Sequence, residues 1–395
     1  MTTRAKTTDG FSGERTGPDR WLLMAVLLLV GIGVVMVYSA SSFRAAEIYR
    51  SSTFFLQRHG IRVLFALAGF FIAYRADYRI LTRYSRPLVL TGIVLLALVL
   101  VVGPEDAIRG SRRWLRLGPL SFQPSELSKL LLVLYLADFL SRKRNEARSF
   151  ARGVFPAVVV LGVIVVLIAL EKNLSGVLHV SMLASLLLFV GGVRFRYLFL
   201  IGLIFGLTAF ASVRSNPYQW NRVIEWVDGR SDLRATDYQT DQSLIALGSG
   251  GLSGGGFGNS KQKYFFLPDS HTDFVLGIVG EELGFVGAGG VMVLFLVFGW
   301  RGARIAANAP DVEGRLLAAG ITLLVMLYAM LNVAVVTDAV PTTGVPLPFV
   351  SYGGSSLFVA LFGAGVLLNI SRKGYRRSFA TAGQAVDRLG RARSS

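Results

Sequence analysis

The chain has 395 residues, of which 53% are hydrophobic and 16% are charged. A water-soluble core cannot absorb that much apolar sequence, so the composition indicates an integral membrane protein. The net charge of +17 favours basic loops beside anionic lipid over a nucleic-acid partner. The absence of cysteine excludes disulfides and thiolate metal sites, and three scattered histidines do not predict a metal cluster.

Apolar stretches of about membrane-spanning length recur along the chain, each bounded by charges, Gly or Pro. They predict an all-α, polytopic integral membrane protein with about ten transmembrane helices. The first stretch has a basic lead-in like that of a signal peptide, but its apolar run is long enough for a membrane anchor. The predicted segments are 21–40, 60–75, 87–102, 125–141, 154–170, 174–192, 196–212, 273–300, 314–336 and 353–371.

The short loops predict the orientation, because alternate loops hold unequal numbers of Lys and Arg and the richer set belongs in the cytoplasm. Both termini are then cytoplasmic, with residues 1–20 as an N-terminal tail, 21–371 as the transmembrane domain and 372–395 as a disordered basic tail. The long segment 213–272, between helices seven and eight, is predicted to be extracellular. Its aromatic residues and glycines predict a structured loop that folds back onto the membrane domain.

Four arginines lie in the stretch RGSRRWLR (109–116), on the predicted extracellular side. Arginine on that side departs from the positive-inside rule and suggests an anionic ligand. Contact with outer-leaflet headgroups is a simpler alternative that stays open.

Directly downstream, Gln123, Glu126 and Lys129 recur every three residues, and Pro124 suits the first turn of a helix. A charge at the bilayer centre costs roughly 2.5–3.5 kcal/mol, so this Glu and Lys should face protein or a watery cavity, and each other. The pattern predicts a structural ion pair or a ligand cavity, and the neighbouring arginines favour the cavity.

A glycine-rich stretch, GSGGLSGGGFG (248–258), matches neither a P-loop nor the dinucleotide-binding pattern. It therefore predicts no nucleotide site. Packed or flexible backbone is the main interpretation, and close approach to a ligand is the alternative.

The stretch FLPDSHTDF (266–274) places Asp273 next to His271 and Thr272, at the start of the eighth predicted helix. Two roles for Asp273 are equally consistent with the sequence: the N-cap residue of this helix, or a catalytic carboxylate at the membrane boundary. Glu281 and Glu282 would lie about 12 Å deeper, where helix packing is their simplest role.

The last predicted extracellular loop, 341–356, contains three prolines followed by small residues. Rigid turns explain the prolines. Ser355 and its neighbours Ser351 and Ser356 could instead line a polar pocket.

Three long motifs of the chain are GSRRWLRLGPLSFQPSELSK (110–129), YQTDQSLIALGSGGLSGGGFGNSKQKYFFLPDSHTDFVLGIVGEELGFVG (238–287) and PTTGVPLPFVSYGGSSL (341–357). Together they resemble the SEDS family, the FtsW/RodA/SpoVE polymerases of bacterial cell-wall synthesis. Two shorter stretches, LVLYLADFL (132–140) and GNSKQK (258–263), are more similar to the FtsW division branch than to the RodA elongation branch.

The resemblance implies a peptidoglycan glycosyltransferase that polymerises lipid II, an undecaprenyl-pyrophosphoryl disaccharide peptide, outside the cytoplasmic membrane. It implies that Asp273 is catalytic. It also implies a family cavity, and the residues that we expect to bind substrate are Arg113, Gln123, Glu126, Lys129, Lys263, His271, Thr272 and Ser355. Where the family has a Pro-Asp pair, this chain has Lys172 and Asn173, so a role for that aspartate does not carry over.

Glycan synthesis from lipid II needs a base for the attacking sugar hydroxyl and positive charge near the departing diphosphate. We expect Asp273 to be the base, and a single carboxylate predicts inversion at the anomeric carbon. A divalent cation, Mg²⁺ or Mn²⁺, would suit the diphosphate, although no ligand motif indicates one. By family analogy the partners are a class B penicillin-binding protein and other divisome or elongasome proteins; a RodA-type elongation role, a lipid II flippase and a non-catalytic scaffold are the alternatives.

Overall fold

The computed structural model describes residues 17–104, 111–117, 120–144, 146, 149–215, 220, 224, 237–264, 266–268 and 270–393, with 375–393 described by backbone alone. The predicted N-terminal tail lies outside the described residues up to position 16. Most of 216–236, in the predicted extracellular loop, also lies outside them.

Helices make up nearly all of the regular structure in the described residues, which agrees with an all-α fold. The helices are α1 (Arg20–Tyr49), α2 (Phe54–Arg75), α3 (Tyr78–Arg83), α4 (Ser85–Val102), α5 (Pro124–Arg142), α6 (Phe155–Leu170), α7 (Leu174–Val190), α8 (Phe195–Ser215), α9 (Asp237–Ser249), α10 (Val275–Ala307), α11 (Val312–Val336) and α12 (Gly354–Arg393). A short antiparallel pair, β1 (Leu115–Leu117) and β2 (Leu120–Phe122), precedes α5. A π-helical turn, Phe150–Val154, precedes α6.

Local sequence accounts for where several helices begin. A side-chain oxygen at the N-cap accepts a backbone N–H of the first turn in α1, α3, α7 and α11, as short polar residues do well. The capping residues are Asp19, Asp77, Asn173 and Asp311. In α5, Pro124 occupies the first turn, where its missing N–H leaves no hydrogen bond unmade.

Every one of the ten predicted apolar segments overlaps a helix, but the helices differ in how well they suit a membrane. By length and composition, seven helical stretches among the described residues could cross a membrane, namely α1, α2, α4, Phe150–Leu170, α10, α11 and Gly354–Gly374. The apolar parts of α7 and α8 are shorter, and α5 carries Glu126, Lys129 and Asp138. The number of ten membrane spans therefore stays a prediction.

The chain reverses between successive helices, so the start of α5, α7 and α12 and the end of α4, α6 and α11 meet at one end of the bundle. We call this the cavity end. Contacts between distant segments join it: the Gln123 N–H donates to the Ser355 hydroxyl (2.9 Å), and the Ser175 hydroxyl donates to the Thr343 carbonyl (2.6 Å).

The other end of the bundle is closed by ion pairs between helix termini. The guanidinium of Arg301, near the end of α10, donates to the buried Asp19 carboxylate at the start of α1. Arg79 and the Tyr78 hydroxyl both donate to Asp311, at 2.8 and 2.9 Å. These contacts fix the relative positions of α1, α3, α10 and α11 at this end.

The structure differs from the sequence prediction at the C-terminus. We predicted a disordered tail from residue 372, whereas α12 continues to Arg393. Alanine and arginine are good helix formers, and several occur in this segment, which explains how the helix can continue beyond the apolar stretch.

The glycine-rich stretch packs against a break in α10. At Gly284 the backbone leaves helical geometry, with φ 68° and ψ −167°. The amides at 285–286 donate to the carbonyls at 251–252 (2.9 and 3.2 Å), and the amides at 255–256 donate to the carbonyls at 281–282 (2.9 and 3.0 Å). Tightly packed backbone, the main interpretation from the sequence, therefore explains these glycines.

The two buried glutamates beside the break receive hydrogen bonds from the same segment. Glu281 accepts from the Ser260 hydroxyl and the Lys261 N–H, and Glu282 accepts from the Ser39 hydroxyl (2.6 Å). Lys263 forms an ion pair with Glu282 (3.3 Å). Both carboxylates thus attach the segment that follows α9 to the helix bundle, which agrees with the packing role predicted for them.

We expect Gly284→Ala to lower the free energy of unfolding by about 2–4 kcal/mol, because a side chain is strained at this positive φ and cannot fit. A Cβ there would lie 2.3 Å from the Gly254 nitrogen and 2.5 Å from the Leu252 carbonyl oxygen. The matched control is Gly289→Ala in the same helix, where a Cβ meets nothing within 4 Å. Thermal unfolding in detergent should separate the two variants by several degrees, and equal midpoints would contradict the packing argument.

Candidate active site

A polar cavity of about 290 Å³ opens among α5, α7, α11 and the start of α12 at the cavity end. Its remaining wall comes from the loop before β1, the turn before α10 and the loop between α11 and α12. Eight residues that the sequence singled out line this cavity: Arg113, Gln123, Glu126, Lys129, Thr272, Asp273, Ser355 and Ser356. The tertiary structure therefore brings together side chains from four separate parts of the chain.

A hydrogen-bonded triad of side chains forms the floor of the cavity. The Lys129 ammonium donates to a Glu126 carboxylate oxygen (2.7 Å) and to the Tyr328 hydroxyl. Tyr328 donates to the other carboxylate oxygen (2.5 Å). All three side chains are buried, and the pair agrees with the expectation that these charges face each other. The structure contains both predicted alternatives at once, an ion pair and a cavity.

Two arginines of the loop before β1 bind the carbonyl ends of helices. Arg113 donates to the backbone carbonyls of Glu171 and Lys172, directly after α6. Arg112 donates to the carbonyls of Leu100 and Val101, in the last turn of α4. Positive charge is favourable at a helix C-terminus, so these contacts give both side chains a structural role that the sequence did not predict. Arg113 also lines the cavity, at its mouth.

Asp273 lies in the turn before α10, and its side chain is partly exposed in the cavity wall. The Asn332 amide donates to the Asp273 carbonyl and to the Val345 carbonyl, both at 2.7 Å, which fixes this turn against the loop after α11. Phe274 is the N-cap of α10, and its side chain makes no capping hydrogen bond. The N-cap alternative for Asp273 is therefore wrong.

Residue 344, opposite Asp273 in the cavity wall, is a glycine, and its lack of a side chain leaves space for the Asp273 carboxylate. Gly344 has φ 70°, and a Cβ there would lie 3.3 Å from a carboxylate oxygen of Asp273. A side chain at 344 would therefore both strain the backbone and crowd the carboxylate.

Two of the residues predicted to bind substrate are not in the cavity wall. The Lys263 ammonium is paired with Glu282 and also donates to the Gly258 carbonyl, on the side of the glycine-rich stretch. The His271 ring packs against Phe55 and Tyr352, with ring centroids 4.9 and 5.4 Å apart, and its carbonyl accepts the Tyr352 N–H. Both contribute to the arrangement around the cavity rather than to its surface.

The sequence did not single out the aromatic residues in the cavity wall, which are Trp114, His179, Tyr328 and Tyr352. Tyr328 completes the floor triad, His179 packs on Tyr328 with ring centroids 3.9 Å apart, and Trp114 is 41% exposed at the mouth. One sequence signal could have indicated Tyr328. It lies four residues from Asn332 within an apolar run, and this spacing places both polar side chains on one face of α11.

The described residues include no group of three or more His, Asp or Glu side chains placed to hold a metal ion. The cavity itself offers Asp273 and the already paired Glu126. This donor set does not fit a protein-held Mg²⁺ or Mn²⁺ site.

Glu171 lies behind the cavity wall, directly after α6, and is completely buried. Burial raises the pKa of Glu171 to about 8, and the positive charge of Arg113 opposes part of that increase. The Ser125 hydroxyl and the Asn173 side chain lie nearby, but among the described residues neither carboxyl oxygen has a partner in hydrogen-bond geometry.

We expect the stability of the protein to fall as the pH rises from about 4.5 to about 8. Over this interval the unfolded chain releases the Glu171 proton while the folded protein retains it, so deprotonation favours unfolding. Glu171→Gln should remove this part of the pH dependence and raise the unfolding temperature most at pH 8. Glu146→Gln, at an exposed ion pair with Lys143, is the control and should retain the wild-type profile. If the unfolding temperatures of wild type and Glu171→Gln changed with pH in the same way, the raised pKa of Glu171 would be refuted.

Comparison with known proteins agrees with this architecture. The probable peptidoglycan glycosyltransferase FtsW of Geobacter sulfurreducens is 40% identical over 352 residues, covering 89% of this chain and 94% of the relative. The stage V sporulation protein E of Bacillus subtilis is 40% identical over 361 residues, covering 91% and 98%.

Two solved structures share the fold. One is a chain from a peptidoglycan synthase complex studied for the coordination of polymerization and crosslinking, with 30% identity and a TM-score of 0.74. The other is the rod shape determining protein RodA of Thermus thermophilus, with 30% identity and a TM-score of 0.67. Each match covers 91% of this chain and 98% of the other.

A family model described as "cell cycle protein", for FtsW, RodA and SpoVE, matches residues 20–376. This range contains every helix from α1 to α11, the whole cavity and all of the apolar part of α12. The chain therefore belongs to the FtsW/RodA/SpoVE family and is similar to its FtsW members.

Proposed function

We propose that this chain is a peptidoglycan glycosyltransferase that polymerises lipid II into β-1,4 glycan strands, with Asp273 as general base. The observation that carries the proposal is that the Asp273 carboxylate shares one cavity with Arg113 and the Glu126–Lys129–Tyr328 floor. A base and positive charge in one cleft are what transfer from a lipid-linked diphosphate sugar requires. The names of the FtsW relatives support the same activity.

In the proposed reaction, the acceptor sugar C4 hydroxyl attacks the anomeric carbon of the donor. A carbon–oxygen bond forms there as the bond to the lipid diphosphate breaks, and the hydroxyl proton passes to Asp273. The leaving diphosphate carries the electron pair of the broken bond away. The donor is already activated, so the step needs no nucleotide.

The geometry ranks the candidate cations for the departing diphosphate. Arg113 lies at the cavity mouth, where it donates to the uncharged carbonyl groups of Glu171 and Lys172. Lys129 is neutralised by Glu126, and Lys263 is paired with Glu282 outside the cavity. Arg113 is therefore the strongest candidate, with Lys129 in a positioning role and Lys263 in a structural one.

We further propose that the protein lies in the bacterial cytoplasmic membrane with both termini in the cytoplasm, so that the cavity end faces outward. Its partner would be a class B penicillin-binding protein transpeptidase, which the peptidoglycan synthase complex among the structural relatives supports. The FtsW relatives favour a role in cell division over one in elongation.

We expect Asp273→Asn to reduce glycan synthesis by about 10²–10⁴-fold, because the variant removes the base and retains the shape of the side chain. The assay incubates purified protein and its transpeptidase partner with labelled lipid II and resolves glycan ladders on a gel. Asp338→Asn is the matched control, since it changes a carboxylate at the same end of the bundle outside the cavity wall.

Four outcomes would contradict the proposal in different ways. Full activity of Asp273→Asn would exclude the base role, and a covalent glycosyl adduct on Asp273 would exclude direct inversion of the α-linked donor to a β-linked product. Translocation of lipid II by wild type without any glycan would instead identify a flippase. Absence of both activities in the complete complex would identify a scaffold.

A further inference from the structure

His179 is a buried polar residue in the cavity wall that the proposed chemistry does not use. Its side chain is 1% exposed, and it lies in α7 facing the cavity. The Leu324 carbonyl lies near the ring, but neither ring nitrogen has a partner in hydrogen-bond geometry among the described residues. The Thr343 hydroxyl in the same wall likewise has none there. A buried polar group without a partner costs free energy, so a ligand that supplies one would bind favourably.

The position of His179 places it beside the floor triad. It lies five residues into α7, and Lys129 lies five residues into α5, so both are about 7.5 Å below the cavity-end termini of their helices. The ring packs on Tyr328 with centroids 3.9 Å apart, and Tyr328 contacts both Lys129 and Glu126. A second positive charge in this buried place next to the Lys129 ammonium would be unfavourable, and a neutral imidazole offers one donor and one acceptor.

The distribution of charge in the cavity indicates that its mouth and its floor suit different kinds of ligand group. The floor is close to neutral, because the Lys129 charge is balanced by Glu126, whereas Arg113 places positive charge at the mouth. A diphosphate therefore fits the mouth. An uncharged group that both donates and accepts hydrogen bonds, such as a sugar hydroxyl or an acetamido group, fits the floor.

We propose that His179 is a substrate-recognition residue that hydrogen-bonds an uncharged hydroxyl or acetamido group on the sugar part of the lipid-linked substrate. This inference rests on the proposed function, since it assumes that a lipid-linked sugar occupies the cavity. It adds a specificity determinant that lies deeper than Asp273 and is formed by α7 and α11 together.

Binding of two lipids to His179→Phe tests the proposal. The change removes both nitrogens and keeps an aromatic ring against Tyr328, and it is made in an Asp273→Asn background so that no substrate is consumed. The probes are a fluorescent lipid-linked disaccharide and fluorescent undecaprenyl diphosphate, titrated in nanodiscs by anisotropy. We expect His179→Phe to weaken disaccharide-lipid binding roughly tenfold, as for one or two lost hydrogen bonds, and to leave undecaprenyl diphosphate binding unchanged.

His59→Phe is the matched control. His59 is also completely buried with no hydrogen-bond partner for either nitrogen among the described residues, but it lies in α2 outside the cavity wall. This variant should bind both lipids like its parent, and His179→Gln should recover part of the lost affinity.

Two results would overturn the recognition role. One is unchanged disaccharide-lipid affinity in His179→Phe, and the other is an equal loss for both lipids or for both histidine variants. Glycan synthesis by the wild type, measured in parallel, tests the proposed function separately. Active wild type with unaltered binding by His179→Phe would overturn the inference about His179 alone.

Discussion

The buried ion pair between Glu126 and Lys129 is the interaction around which the cavity is organised. Each charge alone would be unfavourable within an apolar bundle, and removing one partner of a buried pair typically costs about 3–5 kcal/mol. Here the pair is one turn apart on α5, and the Tyr328 hydroxyl joins it from α11. The triad therefore fixes the distance between two helices at the depth where the cavity ends. It also provides the polar surface that makes the cavity suitable for a hydrophilic ligand.

The backbone around Asp273, the proposed base, is held in place by residues from other segments of the chain. Asn332 binds carbonyls on both sides of the cavity rim, and Gly344 leaves room for the Asp273 carboxylate. Beyond this rim, the break at Gly284 allows the glycine-rich stretch to pair its backbone with α10. Irregular backbone at membrane depth needs such internal partners, because lipid offers none. The position of Asp273 is thus set by contacts with α11 and with the loop that follows it.

The arginines before β1 show how one set of charges serves both the fold and the site. Arg112 and Arg113 each neutralise the carbonyl end of a helix, and these contacts hold the loop over α4 and α6. Arg113 remains at the cavity mouth, where its charge can attract an anionic group. Neither an anionic ligand nor lipid headgroups is needed to explain why both arginines lie at this end. Both arginines already make structural contacts here, and substrate binding can use a charge that is in place.

The sequence by itself determined the helices and much of the cavity wall. Apolar length located the ten helical segments, and the three-residue spacing placed Glu126 and Lys129 on one face, because both signals are local properties of a helix. The motifs around Asp273 were enough to identify the family. Only the tertiary structure decided the partners of the remaining polar residues. Lys263 pairs with Glu282, and Tyr328 meets Lys129 across 199 positions of the chain. A hydrogen bond depends on distance in space, and a single sequence does not fix which distant residues become neighbours, so the role of Lys263, the arginine contacts and the His179–Tyr328 pair became visible only in the folded chain.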